Sequence, residues 1–198
     1  MSAPVQKLNS TLEASPPEGQ RPQKRTKTVL RTIRLPEELE ETLEKLAAEK
    51  GIAFNALVSS ALNKYAQWDY LTERFGFVTI SKTLFKDFVD TADPEKLQEL
   101  ARAHRPEVMK DMMMFWFQDV SMDNFLEFLK IRGRYGLDIK VEVKREGSNL
   151  KLIVTHDFGH AYTAFLRTAL DAEFRTLFKI IPTIDTTESS VMVKATLE

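Results

Sequence analysis

The stretch TVLRTIRLP, residues 28–36, constrains this chain more than any other feature, because it favours an extended backbone and has no second strand nearby. Val29, Leu30, Thr32 and Ile33 suit a strand, and Pro36 restricts Leu35 to β or polyproline geometry. Two helical patterns follow at once. Pro36 fits a first helical turn, and Glu37, Glu38, Glu40 and Glu41 then stand at the positive end of the helix dipole. Leu39, Leu43, Leu46 and Ala47 recur at helical spacing as a narrow apolar stripe, and Lys50-Gly51 supplies the stop. Phe54, Leu57, Val58, Ala61, Leu62 and Tyr65 make a wider face on a second helix, which is expected to end between Trp68 and Arg74. A lone strand cannot form a sheet. The unit 28–74 therefore calls for a second copy of itself, and a homodimer is the expectation.

Charge divides the chain unevenly. Residues 1–34 hold seven basic side chains against two acidic ones, and the rest holds twenty-one against twenty-seven, although the whole carries a net charge of −1. A basic head on an acidic body points to a polyanionic partner. Residues 1–27 combine Pro4, Pro16, Pro17 and Pro22 with Ser, Gln, Lys and Arg, and read as a disordered basic arm. There is no cysteine, which removes disulfides and thiolate metal sites and fits a reducing compartment. No run approaches the roughly 18 apolar residues of a membrane span, and the N-terminus lacks an apolar stretch of signal length. The expectation is a cytoplasmic protein with no membrane partner.

The segment LRTIRLPEELEETLEKLAAEKGIAFNALVSSALNKYAQW resembles the ribbon-helix-helix DNA-binding family, the fold of the Arc and methionine repressors. The likeness rests on the strand ending Ile33-Arg34-Leu35-Pro36, the acidic first helix, Gly51, and Phe54-Asn55 opening the second helix. It covers about a fifth of the chain. It implies paired antiparallel strands lying in the major groove of duplex DNA, a known docking mode. With a period of two, Leu30, Thr32 and Arg34 share one face and would read bases, while Ile33 and Leu35 face the dimer core. Arg34 suits guanine, Thr32 bonds either way, and Leu30 can touch a thymine methyl. The resemblance also implies a phosphate held by the N–H groups of Phe54 and Asn55 with the Asn55 side chain, at a helix N-terminus that favours anions. Ala53 stands where relatives often carry Ser or Thr, which weakens that clamp. Lys24, Arg25 and Lys27 could follow the phosphate backbone, as could Arg31, which falls on the inward face near the strand start and would have to snorkel out. The implied dimer core is Ile33, Leu35, Leu39, Leu43, Leu46, Phe54, Leu57, Val58, Ala61 and Leu62.

Residues 75–198 read as a separate α+β domain for oligomerisation or sensing, which makes the whole chain α+β. Phe77–Ile80 is a candidate strand, followed by a helix over Lys82–Val89 capped by Ser81. Asp93-Pro94 opens a helix to about His104, and Arg105-Pro106 is expected to break it before a further helix through Met112–Phe117. Ser121 caps a helix over Met122–Arg132, stopped by Gly133 and Gly136. Ile139, Val141 and Val143 alternate with polar residues, as do Leu150, Leu152 and Val154, a hairpin signal with Gly147 in its turn. Asp157 is read as capping a long helix to about Lys179, and Val191, Val193 and Ala195 as a last strand. Without its extra helices this order is that of a ferredoxin-like domain.

Other signals carry less. His156 and His160 have an H-x-x-x-H spacing, but only His104 remains as a third imidazole, so no metal and no cofactor is expected. Met112–Phe117 reads as core or subunit interface rather than pocket. Asp157-Phe158-Gly159 lacks every other kinase element, and no catalytic constellation stands out, so an enzyme is not expected. The resulting expectation is a transcriptional regulator, most simply a repressor, acting as a homodimer or a dimer of dimers on double-stranded DNA. Residues 75–198 would take a further ligand or protein. The alternatives are an antitoxin-type DNA-binding protein, or a ligand- or protein-interaction module tethered to DNA.

Overall fold

A computed structural model of the chain describes residues 29–137 and 139–197. Residues 29–36 form neither helix nor strand and have no strand partner among the described residues. The strand expected at Thr28–Leu35 is thus not formed within one chain, and Thr28 itself lies outside the described residues. Helix α1 (Glu37–Lys50) begins after Pro36, whose carbonyl accepts from the N–H groups of Leu39 and Glu40. It ends at Gly51, left-handed at φ 62°, with Ile52 N–H bonding back to the Ala47 carbonyl, a Schellman-type closure that a side chain at Gly51 would strain.

Helix α2 (Phe54–Lys64) does not stop where its apolar pattern ends. It continues through a π-helical turn (Tyr65–Asp69) into α3 (Tyr70–Phe75), which Gly76 terminates. Residues 77–81 are irregular and lie outside the sheet, so the strand expected at Phe77–Ile80 is absent. Phe75 and Phe77 pack against Trp116 instead.

The body follows as α4 (Lys82–Thr91), α5 (Pro94–Phe117) and α6 (Met122–Tyr135), then β1 (Lys140–Glu146), β2 (Asn149–Thr155), α7 (His160–Phe178), β3 (Thr183–Thr186) and β4 (Ser190–Thr196). Ser81, Asp93 and Ser121 cap their helices as expected, each accepting from backbone N–H groups. Three expectations fail, the first at Gly133, which does not stop α6 but lies inside it, the helix running on to Tyr135 before Gly136. Helix α5 runs unbroken through Pro106, which is buried inside it; a helix-interior proline costs about 3 kcal/mol, and the packing of α5 along α7 offsets it. Asp157 does not cap α7, which starts after Gly159; its carboxylate pairs instead with Lys82 Nζ at 2.7 Å.

The protein is α+β, with one four-stranded antiparallel sheet in the order β1-β2-β4-β3. The β1–β2 hairpin turns at Gly147, φ 59°, with Glu146 opposite Asn149. Strand β4 lies between β2 and β3, the two strands that α7 connects, so half of a ferredoxin-like order is present. The other half needs a strand from residues 77–80 and does not form. Leu150, Leu152, Val154, Val191, Val193 and Ala195 face the core, where Phe125, Phe128, Phe158, Phe174, Met109 and Met113 are fully buried. On the open face Lys144, Lys151 and Lys194 stand directly opposite one another across three strands.

One charge lies in the core. Glu173 is 1% exposed and its carboxylate meets the Arg105 guanidinium at 2.9 Å. Burial raises the Glu173 carboxyl pKa, against the pull of Arg105 and Arg132.

Candidate nucleic-acid interface

The residues expected to read bases all lie in solvent. Leu30 is 92% exposed, and Thr32 and Arg34 are exposed beside it. Two further large apolar side chains of this unit are open to solvent, Ile33 at 59% and Leu62 at 60% exposure. Of the expected dimer core, Leu57 is buried, Leu35, Leu43, Phe54 and Val58 are half-buried, and Ile33, Leu39, Leu46, Ala61 and Leu62 are exposed. The two helices α1 and α2 pack on each other but leave much of their apolar stripe uncovered.

The start of α2 has the features of an anion site without an occupant supplied by the chain. Ala53 is extended, φ −66° and ψ 146°, and gives no side-chain cap, as its methyl group dictates. Its carbonyl accepts from Ala56 and Leu57 N–H, while the N–H groups of Phe54 and Asn55 find no acceptor among the described residues. Asn55 and Arg31 are exposed. Lys24, Arg25 and Lys27 lie outside the described residues.

Sequence reasoning missed the joint between this unit and the body. In the π-helical turn, the Gln67 carbonyl accepts from Trp116 Nε1 at 3.3 Å, and Gln67 Oε1 accepts from Tyr135 Oη at 3.4 Å. Trp68 is buried beside Trp116, ring centroids 6.0 Å apart. A Cβ on Gly136 would lie 2.3 Å from Trp68 Cζ2, so only glycine admits the indole there. Nothing in the local pattern marks a π turn; the two tryptophans, bulky and amphipathic, were the available signal.

The histidine pair does not converge. His156 is buried, its Nδ1 accepting from Phe158 N–H at 3.2 Å and its Nε2 standing 3.1 Å from Thr163 Oγ1, which donates to the Glu188 carbonyl at 2.7 Å. That chain of bonds assigns the proton to Nε2, as a donor to Thr163. Burial lowers the His156 pKa, more than the nearby Asp157 raises it. His160 is exposed. Among the described residues no three metal-ligating side chains gather, and no helix is long and apolar enough to cross a membrane. Met109, Met112 and Met113 are buried in the core, whereas Met114 faces out.

No protein-family model matches the chain, and no curated protein matches it.

Proposed function

We propose that this chain is a DNA-binding transcriptional regulator, in which residues 28–35 of two copies pair as an antiparallel ribbon and enter the major groove. The supporting observation is the unpaired segment 29–35, with Leu30 and Ile33 in solvent, preceding two helices whose apolar stripe is left open through Leu39, Leu46 and Leu62. Covering a leucine side chain stabilises by about 1.5–3 kcal/mol, so a twin laid on this stripe would repay the ordering of both segments. The ribbon would then present Leu30, Thr32 and Arg34 to base edges. The free N–H groups of Phe54 and Asn55 would take a phosphate on either side, and residues 24–27 would add salt-dependent contacts without base preference. In this reading the protein acts in the cytoplasm, with no catalytic role. The body would hold dimers side by side or report a bound molecule.

Selection of preferred duplexes from a random pool, followed by anisotropy titration, tests the reading. Arg34→Ala should weaken the preferred duplex by about 1–3 kcal/mol and relax the choice at one base position, with the dimer intact. Failure to enrich any duplex, or unchanged affinity in the variant, would refute it. A second reading, with residues 75–198 as a ligand-binding module that the N-terminal unit tethers, draws support from a cavity of about 680 Å³ at the joint.

A further inference from the structure

Between the π-helical turn and the body lies a cavity of about 680 Å³, within the range that holds small organic molecules. Trp68, Phe77, Phe85 and Phe158 furnish its aromatic walls, Leu137 adds an aliphatic one, and Arg132 lines it beside Gly136. Ligand sites of this kind combine an apolar wall with a few polar groups that fix orientation.

Arg132 is the informative residue. Its guanidinium makes no hydrogen bond or ion pair within the protein among the described residues; the side chain is half-buried, and that burial lowers its pKa. The neighbouring groups that act on it are Arg105, of like sign, then Tyr162 and Glu173, which favour its charge. Glu173 is already engaged by Arg105 at 2.9 Å, and no ion pair joins it to Arg132. The cluster thus holds two guanidinium groups for one carboxylate. A half-buried guanidinium without a protein partner is open to an anion, which it can hold by charge-assisted hydrogen bonds. The cavity that Arg132 lines gives such an anion room beside it. The rim narrows its identity: Lys64 is paired with Asp69, Lys82 with Asp157, and Glu73 adds a further acidic group. Carboxylates at the rim disfavour a multiply charged ligand, while five aromatic rings, that of Tyr135 included, favour a flat apolar body.

We propose that this cavity binds a small aromatic monocarboxylate, its ring between the aromatic walls and its carboxylate on the Arg132 guanidinium. The proposal stands whether or not the N-terminal unit meets DNA. Arginine is the side chain best shaped for such a contact, since its planar fork matches a carboxylate in a bidentate pair.

Isothermal titration calorimetry on the full chain with 2-naphthoate and its neutral analogue 2-naphthamide tests it. One naphthoate per chain should bind, at least about tenfold tighter than the amide, the discrimination expected of a charge-assisted contact. Arg132→Gln, folded by circular dichroism, should erase the preference for the anion, whereas Arg132→Lys should keep part of it. Lys151→Gln, in the lysine row on the open sheet face, should change nothing. Equal affinity for acid and amide in the unaltered protein overturns the proposal, a comparison that needs no variant to fold. So does absence of saturable binding at millimolar naphthoate, a preference that survives in Arg132→Gln, or one lost in Lys151→Gln.

Discussion

The helices that precede the π turn and the body that follows it solve the burial problem differently. Across residues 29–64 the only buried apolar side chains are Ala47 and Leu57. From Trp68 to Leu197, one cluster takes in the inner face of the sheet, the aromatic run of α5 and α6, and α7 from Tyr162 to Phe174. Composition does not explain the contrast, since Leu30, Ile33, Leu39, Leu46 and Leu62 are as apolar as anything in the body. Partners do. The body has two layers, sheet and helices, that close on each other, while the N-terminal unit has one strand-like segment and two helices and no opposing layer. A domain needs two packed layers around a core, which the body has and the N-terminal unit, among the described residues, does not.

That contrast can be broken most forcefully at Glu173. Glu173→Gln removes the one carboxylate between Arg105 and Arg132, and a buried ion pair broken on one side costs about 3–5 kcal/mol. Denaturant unfolding should show that loss in the main transition, and a loss below 1 kcal/mol would mean that the body does not depend on the pair. Next is Leu62→Glu, on the open stripe. It should leave the main transition in place and weaken self-association at least tenfold in sedimentation equilibrium, since burial of one leucine is worth about 1.5–3 kcal/mol. Unchanged association would refute the proposed pairing of two copies through this stripe. Gly136→Ala tests whether the joint holds the two regions together. The added methyl must displace Trp68, an overpacking that costs about 1–3 kcal/mol, and it should shift tryptophan emission to the red. The smallest effect concerns pH. His156 is kept neutral in the fold by burial, so its folded pKa lies below the unfolded value of about 6.5. The unfolded chain then binds more protons below that value. Stability should be full above about pH 6.5 and decline as pH falls beneath it. His156→Gln should flatten that part of the stability profile; an unaltered slope would assign it to other groups.

The sequence made much of the body legible because its local signals agree with its tertiary structure. Alternation at Val141–Val143 and Leu150–Val154, with Gly147 between, specifies the hairpin in the register observed. Serine and aspartate caps locate α4, α5 and α6 within a residue. The failures are places where long-range packing overrules a local rule. Pro106 reads as a break, yet α5, packed along α7, continues through it. Strand β3, in the stretch PTIDTT, turns only Ile184 inward and so shows no alternation to detect. The cavity was invisible because its walls come from α2, the π turn, α3, residues 77–80, α4, α6 and the loop before α7, which only the fold assembles. Glu173 was discoverable. It falls three residues after Leu170 and seven after Leu166, on the apolar face of α7, where a lone carboxylate demands a partner. For Leu30, Thr32 and Arg34, the structure adds to the sequence pattern that all three side chains are exposed in a single chain.

The π turn at Tyr65–Asp69 carries a geometric consequence. Each residue of an ordinary helix advances about 100° around the axis, and a π turn accommodates one residue beyond the regular count. Side chains downstream are therefore rotated by about that angle relative to those of α2. One continuous rod can aim its first half at α1 and its second half at α5 and α6, like a shaft keyed at two angles. Excising Ala66 would restore a single phase, swinging Trp68 off Gly136 and leaving one end of the rod facing the wrong neighbour.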